Sequence, residues 1–137
     1  MTKYLIAFLC AAVIFGSLDA MWLNWAGPNL YIPNIGELMA ENFNVRAAAV
    51  FYVAYLSGMM WFAIRPGLES GDVKKSLLNG VLLGALCYAT FDLTSQAVFK
   101  VWATKVTVFD IFWGAFATGT TSTLACWIAL RFTHEAS

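Results

Sequence analysis

The chain has 137 residues, of which 61% are hydrophobic and 12% charged, and its mean hydropathy is +0.70. A soluble domain is nearer about 45–50% apolar and a quarter charged, so a water-soluble domain and a disordered chain are excluded. Eight Lys/Arg balance eight Asp/Glu, which leaves no field to attract phosphate polymers and excludes nucleic acid as a partner.

A bilayer core of about 30 Å takes roughly 20 mostly apolar residues per helix. Residues 4–25, 45–64, 76–99 and 108–131 meet that length. They predict an all-α membrane protein: four transmembrane helices in a compact bundle, one transmembrane domain over residues 1–137. The first stretch opens on Lys3 and an apolar run as a signal peptide does. Leu18-Asp19-Ala20 is a poor cleavage site, however, and Trp22 and Trp25 suit a helix end, so it is read as a span. The residues before Cys10 form no lipobox.

The first loop, residues 27–44, is the longest. Pro33 suits an early helical position, and Ile35, Leu38, Met39 and Phe43 follow at helical spacing. This predicts a short interfacial helix, read first as an anchor between spans and second as a lid over a cavity. Arg46 lies at the edge of the second span. Pro66, Gly67, Ser70 and Gly71 form a turn cluster, and Lys74 and Lys75 after it suit lipid headgroups. Trp102, between Lys100 and Lys105, reads as an interface anchor. Lys3, Arg65, Lys74, Lys75 and Arg131 fall on one side, and Arg46, Lys100 and Lys105 on the other. That bias places both termini in the cytoplasm. Cys10, Cys87 and Cys126 lie in spans and read as small apolar side chains. His134 is the lone histidine, so neither metal nor cofactor is expected.

The informative feature is three acids inside the spans. Asp19 lies near the end of the first, Asp92 near the end of the third, and Asp110 near the start of the fourth. At 1.5 Å per residue all three fall within about 10 Å of one face, whichever face that is. An acid in a span costs at least about 2.5–3.5 kcal/mol and normally faces the bundle interior or a wet cavity. Each also has a plainer reading. Asp110 fits a capping box with Thr107 as its cap. Asp19 could pair with Arg46. Asp92 shares a helix face with Tyr88, Ser95 and Gln96. As a structural network that stripe would contribute only about 0.6 kcal/mol per contact, which favours a functional role.

Asp19 and Asp110 each precede a tryptophan by three residues, Trp22 and Trp113, on one helical face. Gly114 beside Trp113 would leave a slot for a flat or acyl ligand. Gly80/Gly84 and Ala54/Gly58 are small-residue pairs expected at tight helix contacts.

The run Tyr88-Ala89-Thr90-Phe91-Asp92-Leu93-Thr94, with Val106 to Asp110, Trp113-Gly114, Leu18 to Trp22 and Phe51-Tyr52, resembles a family of small bacterial integral membrane proteins, domain of unknown function 2177. The resemblance covers nearly the whole chain and implies a compact four-span protein of the bacterial inner membrane with those acids at a shared site. It carries over no activity and no catalytic residues. Ser95 departs from the pattern, where Asn is expected.

Three readings follow. The first is an acid-lined cavity that binds or moves a small amphipathic or cationic ligand, a lipid or isoprenoid. Asp92 is central to it, with Asp19, Asp110, Tyr88, Ser95, Gln96, Trp22, Trp113 and Arg46 as candidate site residues. The second is a lipid-modifying enzyme using paired carboxyls, for which no nucleophile–base pair is visible. The third is an accessory subunit without chemistry. Membrane lipids are the expected partners, and a transport path would call for a homo-oligomer.

Overall fold

The computed structural model describes residues 2–42 and 44–136, with side chains as far as residue 133. Among them there is no strand. α1 (Thr2–Ala26) continues into a π-helical turn over Gly27–Tyr31, α2 (Ile32–Ile35) and a 3-10 turn over Gly36–Leu38. Prolines cause the irregularity: Pro28 and Pro33 lack the N–H that an α-helical ladder needs. Asn29 and Asn34 give side-chain amides to the carbonyls of Trp25 and Leu30 at 2.7 and 2.6 Å. The expected short helix with Pro33 in its first turn is therefore present, but it is joined to α1. Phe43, the last residue of the expected apolar face, lies outside the described residues.

Asn44 caps α3 (Val45–Met59) by accepting from the Ala47 N–H at 3.1 Å. A second π-helical turn, Met60–Ile64, leads into α4 (Arg65–Ser70). Pro66 has no N–H for the Phe62 carbonyl, and Asn79 donates to that carbonyl at 3.1 Å. Ser76 donates to the Ile64 carbonyl at 3.3 Å. Of the expected turn cluster only Gly71 is a turn, with φ +70°; Pro66, Gly67 and Ser70 are helical. Asp72 caps α5 (Val73–Val98), and α6 (Thr104–Ala136) completes the bundle.

Among the described residues Thr2–Leu38, Val45–Ser70 and Val73–Val98 are long and apolar enough to cross a membrane. α6 is long enough at 33 residues but carries a run of threonines, serine and glycine at its middle. Thr118, Thr121 and Ser122 of that run are fully buried, because α6 packs along both α5 and α1. The interior is thus polar along this run and apolar at Phe15, Met59, Ile64 and Leu68, whereas Leu5, Leu82, Leu86 and Phe112 face outward. Lipid supplies no hydrophobic drive between helices, so close approach through small residues holds them together. Gly84 meets the Gly114 carbonyl, and Gly80 meets Ser122 and the Thr118 carbonyl. The other expected pair is not used in this way: Ala54 is exposed and a Cβ at Gly58 would meet nothing within 4 Å.

One buried cluster holds Ala7, Leu68 and Ala129 together with Tyr4, Val73 and Leu130, which gathers both chain ends and α4 at one end of the bundle. At the opposite end Ala26, Leu30 and Val106 pack with Trp22, Tyr31 and Trp102.

Candidate functional site

The three aspartates are buried at that second end, with 9%, 1% and 6% of Asp19, Asp92 and Asp110 exposed. They lie on three helices, α1, α5 and α6. A cavity of about 360 Å³ opens between α3, α5 and α6. Its wall is aromatic, from Phe51, Tyr55, Tyr88 and Phe91, with Cys87, Asp92 and Asp110. Among the described residues no Lys or Arg lines it.

The acids differ in what holds them. Tyr31 donates its hydroxyl to Asp110 at 2.5 Å and accepts the Trp22 indole N–H at 2.9 Å. On a straight α-helix residues nine apart lie on opposite faces, so the intervening π-helical turn is what brings Trp22 and Tyr31 together. Tyr52 donates to the Asp19 carboxyl. Asp19 itself lies outside the cavity wall, which Asp92 and Asp110 line. Asp92 lines the cavity with Asp110, yet among the described residues neither of its buried oxygens has a hydrogen-bond partner. Neighbouring carboxyls can share a proton, which would satisfy one of those oxygens at most.

The paired tryptophans converge. Trp22 stacks on Trp113 with centroids 4.8 Å apart and planes 7° from parallel. The expected slot beside Trp113 is filled, since a Cβ on Gly114 would strike the Tyr88 ring. Flat partners therefore do occupy that place, but they are the protein's own Trp22 and Tyr88. Tyr88 also meets Tyr55 edge-on at 6.3 Å, and Tyr55 bonds Thr118 at 2.7 Å.

Four expectations are corrected. Asp110 is not in a capping box: α6 begins at Thr104, three residues before the expected cap. Thr107 instead donates to Gln96 at 2.7 Å and accepts from the Trp102 indole at 2.9 Å. Gln96 is consequently a clasp of the α5–α6 turn, bonded also to Thr104 at 2.9 Å, and not part of the cavity wall. Ser95 is buried but lies outside that wall. Arg46 is exposed at the start of α3 and forms no ion pair among the described residues; Tyr52, almost two turns further along, is the α3 residue that reaches Asp19.

Sequence reasoning missed Tyr31 and the cavity roles of Phe51, Tyr55 and Phe91. A tyrosine at i+3 from Tyr52 on an otherwise apolar helix was the available signal for Tyr55. Beyond Asp110 lies a second cavity of about 500 Å³, lined by Tyr31, Ile35, Leu38, Met39, Phe99 and Trp102. The two cavities share Phe91 and Asp110. The segment expected as a lid or anchor thus forms one wall of this second cavity.

The family described as "predicted membrane protein (DUF2177)" matches residues 4–127, and the chain belongs to it. No curated protein and no solved structure matches the chain.

Proposed function

We propose that this member of a membrane-protein family binds a small amphipathic ligand, of lipid or isoprenoid type, in the cavity at Asp92. The observation that carries the reading is the pair of Asp92 oxygens, on a residue 1% exposed that lines an aromatic cavity, without a hydrogen-bond partner among the described residues. A buried acceptor left unmade costs about 1–3 kcal/mol or more, and a donor on a ligand would recover it. Ligand sites are typically apolar hollows with a few convergent polar groups. Here the apolar part of the ligand would lie on Phe51 and Phe91, and its polar end would meet Asp92 and Asp110. Tyr31 and Tyr52 would hold the other two acids in place. One copy of the chain supplies the whole wall, so binding needs no second copy; carrying the ligand across would.

In this reading the chain lies in the cytoplasmic membrane with both termini in the cytoplasm, and the acids sit within the outer half of the bilayer. The test is extraction in a mild detergent followed by mass spectrometry of what remains bound. Wild-type protein is expected to retain a lipid-like species that Asp92→Asn, inserted to the same level, loses. Equal retention by both proteins overturns the proposal.

A further inference from the structure

The chemistry of the cavity narrows the ligand further. This step rests on the proposed function and specifies the polar end of the molecule. Asp92 and Asp110 line one apolar hollow. Neither they nor Asp19 form an ion pair among the described residues. Arg46, Lys100 and Lys105, toward the same end, are exposed and line neither cavity, and other cations are engaged at the far end. Arg65 is over Trp61 at 3.7 Å and bonded to Glu69 at 3.4 Å, Lys3 is over Tyr4 at 5.5 Å, and Arg131 is over Trp127 at 5.3 Å. Buried acids without a counter-ion meet a cation or carry protons.

The remainder of the wall favours a cation. Phe51, Tyr55, Tyr88 and Phe91 line the same hollow as Asp92 and Asp110, and aromatic ring faces attract a desolvated ammonium group. Of the two tyrosines in this wall, Tyr55 has its hydroxyl engaged by Thr118 at 2.7 Å. Asp92 offers two acceptor oxygens. A primary ammonium has three N–H donors to fill them, a quaternary ammonium has none, and an alcohol has one and no charge.

We propose that the cavity binds an amphiphile with a primary ammonium head, seated on Asp92 among the rings and with its tail on Phe51 and Phe91. Charge-assisted hydrogen bonds are about twice as strong as neutral ones, so the head group should dominate selectivity over tails of equal length.

The test uses the full chain in phosphatidylcholine nanodiscs, with empty nanodiscs subtracted, and compares decylamine, decanol and decyltrimethylammonium at neutral pH. Saturable binding of decylamine should be at least about tenfold tighter than that of decanol, with decyltrimethylammonium weaker than decylamine. In Asp92→Asn the preference for decylamine over decanol should vanish. Decanol binding as tightly as decylamine to the wild-type protein overturns the ammonium head and leaves the amphiphile site standing. Decyltrimethylammonium binding as tightly as decylamine overturns the role given to the N–H donors. Saturable binding of none of the three overturns both this inference and the proposed function. A preference that persists in Asp92→Asn overturns the assignment of the head to Asp92. The wild-type comparison needs no variant, so it stands even where Asp92→Asn fails to fold.

Discussion

Two of the buried aspartates accept a tyrosine hydroxyl and the third accepts nothing from the described residues, and each acid should respond to substitution accordingly. Tyr31→Phe removes the bond to Asp110 and also leaves the Trp22 indole N–H without its acceptor. Hydrogen bonds between helices in a membrane contribute about 0.6 kcal/mol on average and up to about 1.7, so with the orphaned indole a loss of about 1–2 kcal/mol is expected. Asp92→Asn removes a buried carboxyl that has no hydrogen-bond partner among the described residues, and it should leave stability unchanged or raise it by up to about 1 kcal/mol. Thermal unfolding of both variants in one detergent separates them; an Asp92→Asn loss as large as that of Tyr31→Phe would show that Asp92 is structural. The acids were legible in the sequence because charge in an apolar run is costly wherever the fold puts it. Their partners were not. Tyr31 lies in a segment read as loop, 79 residues from Asp110, and nothing local to either residue signals the bond. Arg46 misled because opposite charge alone suggested a partner for Asp19, whereas reach along α3 selects Tyr52.

The contact between α5 and α6 depends on glycines where two backbones meet. A Cβ at Gly84 would collide with the Gly114 carbonyl, which side-chain rotation cannot relieve. Gly84→Ala should therefore force the helices apart, at a cost of about 3 kcal/mol or more, and reduce the folded yield in detergent. Gly58→Ala is the control within the same chain, because a Cβ there meets nothing within 4 Å. That variant should be neutral or gain up to about 1 kcal/mol from helix propensity. Equal losses in the two variants, read by unfolding in the same detergent, would show that the contact does not depend on close backbone approach. The small-xxx-small spacing was visible at both places, yet only one is a contact. Spacing identifies a helix face that is able to pack, and tertiary structure decides which face does. The π-helical turns were hidden for a related reason. Pro28 and Pro66 announce a break, but whether the chain turns or rewinds depends on donors such as Asn29 and Asn79, and Asn79 belongs to another helix.

Across the whole bundle the two ends are chemically different, and this bears on orientation. The end that gathers both termini and α4 carries three cations over aromatic rings, Lys3 on Tyr4, Arg65 on Trp61 and Arg131 on Trp127. The other end carries the buried acids and the cluster of Trp22, Trp102 and Tyr31. Lysine and arginine are retained on the cytoplasmic side during insertion, so the first end should be cytoplasmic and the acid cavity should open toward the outside. Two exposed positions report this directly, Ser70 at the end of α4 and Lys100 in the α5–α6 turn beside Trp102. In intact spheroplasts a membrane-impermeant maleimide should label Lys100→Cys and not Ser70→Cys, and Ser70→Cys should label once the membrane is opened. Replacing Lys100 removes a cation from the side already poorer in them, so the variant strengthens the bias it reports. The reverse labelling pattern would turn the molecule over and make the acid cavity face the cytoplasm, with the three carboxyls still gathered at one end of the bundle.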